Sequence, residues 1–142
     1  MKARYKICII SSWNELTDFI TNQLAPLDHD IQISNILFSD LNTILAYDIL
    51  FLYIEDRYLE SKINFITKIR TNSEFLELTI ILIAPYTKEI LSKIVNSDIN
   101  YYDQIMFLPV SDEGVIGSLE LGTLVKNRRL RSSRNSRPEN GV

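Results

Sequence analysis

The sequence predicts an α/β fold in which five parallel strands form one doubly wound sheet, with helices on both faces. Short apolar runs of strand length alternate with longer amphipathic stretches along the chain, which is the order of repeated β–α units. Two of the runs, residues 49–54 and 80–84, are continuously apolar, as expected for parallel strands that helices cover on both sides. Right-handed crossovers then restrict the topology to a doubly wound, (βα)5 sheet.

The first two β–α units occupy the first third of the chain. Residues 6–10 are rich in β-branched side chains and predict the first strand. Asn14 is placed to cap a helix over residues 15–24, where apolar side chains recur at helical spacing. Residues 31–37 fit a second strand. A short helix then runs through Leu41, Ile44 and Leu45, with Ser39 or Asp40 as its cap.

The third and fourth units contain the most apolar strands. Residues 48–54 are apolar after one acid, and residues 59–70 that follow are amphipathic. Residues 79–84 form the fourth strand. Thr87 is placed to cap a helix over residues 88–96.

The fifth unit ends in a long helix. Residues 105–108 form the last strand, which Pro109 stops, and Ser111 is placed to cap a helix that reaches about Arg131. Three of the four glycines fall in this helix. They either allow a partner helix to pack closely or loosen the start of the helix.

The charges divide the chain into an acidic domain, residues 1–125, and a basic tail, residues 126–142. The domain carries nine basic and seventeen acidic side chains, whereas the tail mixes basic residues with Ser, Asn, Pro and Gly. This composition predicts a disordered tail or linker, with possible weak contacts to nucleic acid or an anionic surface. Its basic residues are Lys126, Arg128, Arg129, Arg131, Arg134 and Arg137.

Several classes of protein are excluded by composition. Residues 1–113 contain no glycine, which argues against a glycine-rich phosphate loop, and no cofactor is expected. The apolar runs are too short for a signal peptide or a membrane span. Cys8 has no partner for a disulfide, so we expect a reducing, cytoplasmic location. His29 is predicted at the opposite end of the sheet from Ser11, which argues against a Ser–His hydrolase.

Sites in doubly wound folds lie beyond the carboxyl ends of the strands, and there the sequence resembles a known family. The string Asp48-Ile-Leu-Phe-Leu-Tyr53 resembles the third strand of response-regulator receiver domains, which have a flavodoxin-like fold. The segments Ile9-Ile-Ser-Ser12, Ile81-Leu-Ile-Ala84 and Phe107-Leu-Pro109 resemble the first, fourth and fifth strand ends of that family. The resemblance covers about residues 5–125.

The same resemblance implies that the phosphorylation chemistry of receivers is absent. The family's acidic pair, which holds Mg²⁺, corresponds to Ser11 and Ser12, and its phosphoacceptor aspartate corresponds to Tyr53. Its hydroxyl residue and its lysine correspond to Ile83 and Leu108. All five replacements are uncharged and offer no carboxylate for a hard cation. The sequence therefore predicts an electrically neutral site that binds no metal, and a degenerate pseudo-receiver that is not an enzyme.

A pseudo-receiver is expected to act by binding a protein partner or a second copy of itself. The family's partner surface corresponds to residues 88–124, where the candidate contact residues are Ile90, Leu91, Tyr101 and Tyr102. Three alternatives stay open. The chain could be an atypical receiver phosphorylated on Asp48 or Asp56, a ligand-binding or enzymatic flavodoxin-like protein, or a protein that binds nucleic acid or membranes through the tail.

Overall fold

The structure is a computed structural model that describes residues 4–34, 41–96 and 101–135. The predicted caps Ser39 and Asp40, the end of the predicted second strand, and Arg137 lie outside these residues.

The described residues form one five-stranded parallel sheet in the order β2-β1-β3-β4-β5. This confirms the predicted doubly wound sheet, and each strand lies within one residue of its prediction apart from the end of β2. The strands are β1 (Lys6–Ile10), β2 (Asp30–Ser34), β3 (Ile49–Tyr53), β4 (Thr79–Ala84) and β5 (Gln104–Phe107).

Helices occupy the segments between the strands, although one predicted helix is a 3₁₀ segment, Leu41–Ala46. The helices are α1 (Asn14–Leu24), α2 (Leu59–Arg70), α3 (Lys88–Ile90), which continues as a π-helical segment (Leu91–Val95), and α4 (Asp112–Asn135). Further 3₁₀ turns are Ala25–Leu27, Asp56–Tyr58 and Ser73–Phe75.

Two of the predicted capping residues cap their helices, and a third, Asn14, does not. The Thr87 hydroxyl accepts a hydrogen bond from the Ile90 amide at 3.2 Å, and the Ser111 hydroxyl accepts one from the Gly114 amide at 3.0 Å. Asn14, by contrast, is the first residue of α1, and Trp13 occupies the cap position without a capping side chain.

The core consists of two layers, one on each face of the sheet. Alternate residues of β1 and β3 point to opposite faces, so Cys8 and Leu50 pack with α2 and α3 while Ile9 and Phe51 pack with α1 and α4. Cys8 is buried as predicted, and burial raises the pKa of its thiol to about 11. The sandwich of helices around apolar strands follows from this alternation.

The last helix is longer than the sequence predicts. α4 ends at Asn135, beyond the predicted end at about Arg131, so residues 126–135 of the predicted tail are helical and the helix crosses the expected boundary at residue 125. Arg129 connects this part of the helix to the rest of the fold. Its guanidinium donates to Asp103 Oδ1 at 3.1 Å and to the Leu76 carbonyl oxygen at 2.7 Å, which ties α4 to the amino end of the sheet.

Asp103 joins three elements at this end of the molecule. Its side chain is fully buried and also accepts hydrogen bonds from Arg70 Nη2 at 3.0 Å and from the Ile80 amide at 2.9 Å. Burial lowers the pKa of Arg70 to about 10, an effect that the neighbouring Asp103 carboxylate opposes. The carboxylate therefore links α2, β4 and α4 through charged hydrogen bonds.

None of the helices in the described ranges combines the length and the apolar content needed to cross a bilayer.

Candidate functional site

The structure places the five residues of the predicted site at one edge of the sheet. Ser11 and Ser12 follow β1, Tyr53 ends β3, and Leu108 follows β5. Ile83 of β4 is in register with Tyr53, so these two side chains are neighbours on adjacent strands. Parallel strands bring their carboxyl ends to the same edge, which is why residues far apart in sequence meet there.

The two serines differ in their surroundings. Ser11 is buried, and its hydroxyl accepts a hydrogen bond from the Trp13 amide at 3.1 Å and donates to the Trp13 carbonyl oxygen at 3.3 Å. These bonds close a tight turn between β1 and α1. Ser12 is exposed. The Ser11 hydroxyl is thus used by the local backbone.

Aromatic rings lie at the centre of this edge, where β3 ends. The Trp13 and Tyr53 rings lie 5.8 Å apart between centroids and are tilted by 50°. Ile83 is fully buried, and its carbonyl oxygen accepts a hydrogen bond from the Ile54 amide at 2.7 Å. The centre of the edge is therefore apolar and aromatic.

A buried lysine corrects the prediction of an electrically neutral site. Lys62 of α2 is only 9% exposed, and its ammonium donates to the Tyr53 carbonyl oxygen at 2.9 Å. Burial lowers the pKa of Lys62, while the Glu55 carboxylate raises it. One cation, from a helix rather than a strand end, is therefore held beside the predicted acceptor position.

Lys62 is not predicted by the strand ends, although the pattern of α2 carries a signal for it. Leu59, Ile63 and Ile66 lie on the buried face of α2, and Lys62 stands three residues after Leu59 and four before Ile66. A lysine at an apolar position of an amphipathic helix is expected to extend its charged end towards polar atoms.

A groove of about 440 Å³ opens beside this edge, between α1 and the segment that follows β5. The Leu108 amide donates a hydrogen bond to the Ala84 carbonyl oxygen, and the peptide bond between Leu108 and Pro109 is cis. The groove is mainly apolar, with Glu15 as its charged side chain, and is lined by Trp13, Glu15, Leu16, Phe19, Leu108, Pro109 and Val110.

The described carboxylates at or beside this edge include Glu15 and Glu55. Across residues 4–34, 41–96 and 101–135, no three or more His, Cys, Asp or Glu side chains lie close enough together to hold a metal ion. Glu55 is partly buried beside Lys62.

The predicted partner residues do not form a uniform exposed surface. Ile90 is fully buried in the core, so it is unavailable for direct contact with a partner, because its apolar side chain faces the sheet from α3. Tyr101 and Tyr102 are half-buried and pack against the same core. The exposed aromatic residue of this region is instead Tyr86, whose ring meets the Phe107 ring edge-on at 5.1 Å.

His29 lies at the other end of the sheet from Ser11, as predicted. It precedes β2, and its Nδ1 accepts a hydrogen bond from the Tyr5 amide at 3.0 Å. Its ring stacks on the Tyr5 ring, with 5.4 Å between centroids. The histidine thus has a structural role and does not approach Ser11.

Comparison with known proteins identifies the fold. No protein-family model and no curated protein matches the sequence. Among solved structures, NtrX from Brucella abortus is 15% identical, with a TM-score of 0.72 over 93% of this chain and 29% of its own. CheY4 of Vibrio cholerae is 12% identical, with a TM-score of 0.64 over 84% of this chain and 99% of its own.

A response regulator from Thermotoga maritima is also 12% identical, with a TM-score of 0.68 over 86% of this chain and 99% of its own. The match thus spans nearly the whole of the CheY4 and Thermotoga maritima chains but less than a third of the NtrX chain. Its fold is that of the receiver domains of two-component response regulators.

Proposed function

We propose that this receiver-like chain is a non-catalytic signalling module, a pseudo-receiver that binds a protein partner without being phosphorylated. In this proposal the protein acts in the cytoplasm, needs no cofactor or metal, and is regulated by the supply of its partner.

The observation that carries the proposal is the set of side chains gathered at the carboxyl edge of the sheet. Phosphoryl transfer to a carboxylate needs a nucleophilic oxygen and cations that stabilise the transferred charge. Tyr53, which the resemblance aligns with the phosphoacceptor aspartate, ends β3 at this edge. The Ser11 hydroxyl is hydrogen-bonded to the backbone of Trp13.

Lys62 supports the part of the proposal in which this edge keeps a single conformation. Its ammonium donates to the Tyr53 carbonyl oxygen and interacts with the Glu55 carboxylate, so it links the end of β3 to α2. A buried cation with these partners favours one arrangement of the segment between the two elements, because moving it would leave the charge unpaired.

The partner surface in this proposal is formed by α3, β5 and the amino-terminal half of α4. Tyr86 is 69% exposed and rests on Phe107, which gives the surface a large aromatic side chain of the kind enriched in interfaces. Leu91, Tyr101 and Tyr102 border it as partly exposed residues.

Phosphorylation can be tested directly. The full chain is incubated with acetyl phosphate and Mg²⁺, and intact-protein mass spectrometry measures phosphoryl incorporation. We expect none, because the acceptor position lacks a carboxylate. A matched variant carries Ser11→Asp, Ser12→Asp, Tyr53→Asp, Ile83→Thr and Leu108→Lys, and serves as the gain-of-function control. A phosphoryl group on Asp48, Asp56 or another carboxylate of the unmodified chain would refute the proposal and favour an atypical receiver.

Partner binding needs a separate measurement. Proteins captured from native lysate by the full chain are quantified for Tyr86→Ala and for Tyr58→Ala, a control that removes a tyrosine 50% exposed elsewhere on the surface. We expect one captured protein to be lost with Tyr86→Ala and retained with Tyr58→Ala. Equal capture by both variants would argue against this surface.

A further inference from the structure

The middle of α4 presents an uncovered apolar surface. Leu121 is 50% exposed and Leu124 is 44% exposed. Gly117 lies four residues before Leu121, and a Cβ placed on it would meet nothing within 4 Å. Spacings of four and three residues put these positions on one face of a helix, which we call the α4 stripe.

Charged residues extend the α4 stripe in both directions, with opposite signs. Glu113 precedes the leucines along the helix and Glu120 is adjacent to Leu121, whereas Arg128 and Arg131 follow the leucines. All four charged residues are exposed. None of the ion pairs found among the described residues involves any of the four. Arg129, in contrast, faces the body of the protein and binds Asp103.

The macrodipole of a helix favours acids near its start and bases near its end, and it accounts for the order of these charges. It does not account for their alignment on the same face as two exposed leucines. An apolar centre flanked by unpaired opposite charges is complementary to a copy of itself turned end to end.

We infer that the protein associates with a second copy of itself through antiparallel pairing of the α4 stripes. The two-fold axis passes between Leu121 and Leu124, so that Leu121 of each copy packs on Leu124 of the other. Arg128 of one copy then extends over Gly117 of the other copy, where no side chain is in the way. Its guanidinium lies beside Glu120 of that other copy. A parallel pairing would instead place like charges opposite one another, which is unfavourable.

The association is expected to be reversible and concentration-dependent. One pair of helices buries less area than a standard interface of about 1,600 Å². The monomer also has its own complete core, so self-association is not needed for folding.

The first test is sedimentation velocity of the full chain over a range of protein concentrations. We expect a concentration-dependent dimer that Leu121→Lys abolishes, because the substitution places a charge at the apolar centre. Leu45→Lys is the matched control, since Leu45 is 47% exposed on the 3₁₀ segment Leu41–Ala46, away from α4. A chain that stays monomeric at every concentration would overturn the inference.

The second test determines orientation by charge reversal. Glu120→Lys and Arg128→Glu are each expected to weaken the dimer about tenfold, because each pair occurs twice in a symmetric dimer and repulsion replaces attraction. The double variant restores opposite charges and is expected to recover the dimer. Glu120 and Arg128 are eight residues apart, so they form no pair within one helix.

Every outcome of the charge reversal is informative when the thermal midpoint of each variant is measured alongside. Recovery in the double variant supports antiparallel pairing. Failure to recover, with unchanged thermal midpoints, would overturn it in favour of another occupant of the stripe. Self-association and the lack of phosphoryl transfer involve different residues, so either experiment can fail while the other succeeds.

Discussion

At the scale of single residues, His29 connects the starts of the first two strands through its neutral ring. Nδ1 accepts the Tyr5 amide hydrogen, and a protonated ring could not accept it. Burial lowers the pKa of His29, and the Asp28 carboxylate only partly opposes this effect. The neutral form is therefore the one that fits the folded protein.

This geometry predicts that acid weakens the fold. Below the unfolded pKa of 6.5 the unfolded chain binds more protons at His29 than the folded chain does. The free energy of unfolding therefore falls as pH drops from 6.5 to the lower folded pKa. Urea denaturation over roughly pH 5 to 8 measures this slope. His29→Gln, which does not titrate, is expected to flatten it, and an unchanged slope would contradict the assignment.

At the scale of elements, the glycines of α4 have two different roles. Gly122 packs against β4, where an added Cβ would lie 3.1 Å from Thr79 Cγ2 and 3.2 Å from Ile81 Cγ1. Both neighbours are buried and β-branched, so they cannot easily move away. The close approach at this position is thus between α4 and the chain's own sheet, whereas the sequence analysis considered a partner helix or a loose start of the helix.

Substitution by alanine is therefore expected to change the free energy of unfolding in opposite directions at Gly122 and Gly117. Gly122→Ala is expected to lower the free energy of unfolding by about 1–3 kcal/mol through overpacking. Gly117→Ala is expected to raise it by up to about 1 kcal/mol, because alanine is the better helix former and meets no neighbour. Urea denaturation at low protein concentration compares them. Stabilisation by both substitutions would show that α4 can shift away from β4.

At the scale of the whole molecule, α4 runs from the carboxyl edge of the sheet past its amino end. With 24 residues it is about 36 Å long, which exceeds the length of any strand beside it. The contacts of Arg129 with Asp103 and Leu76 join its second half to the body. The folded unit therefore includes residues that the charge pattern assigned to a separate tail.

This arrangement predicts that the boundary at residue 125 is too early for a stable domain. A chain ending at Val125 loses Arg129 and leaves Asp103 Oδ1 buried without that partner. We expect its free energy of unfolding to be about 1–3 kcal/mol lower than that of a chain ending at Asn135. Thermal and urea denaturation of the two chains test this. Equal stability would mean that residues 126–135 do not contribute to the fold.

The order, type and approximate bounds of the main elements could be predicted from the amino-acid sequence. Residues 6–10, 59–70 and 79–84 were predicted with their observed bounds, because burial on a sheet or helix produces patterns that are readable within a few residues. The position of Ser11, Tyr53 and Leu108 at one edge of the sheet also followed from the sequence, since parallel topology alone brings strand ends to the same edge.

Contacts between side chains of different elements could not be predicted and are seen in the folded structure alone. The bond from Lys62 to Tyr53 and the binding of Asp103 by Arg70 and Arg129 depend on how helices dock against the sheet. The burial of Ile90 depends on the same docking. A helix pattern shows which residues share a face, but the partners of that face lie up to 53 residues away. Such contacts are set by packing, which no local pattern records.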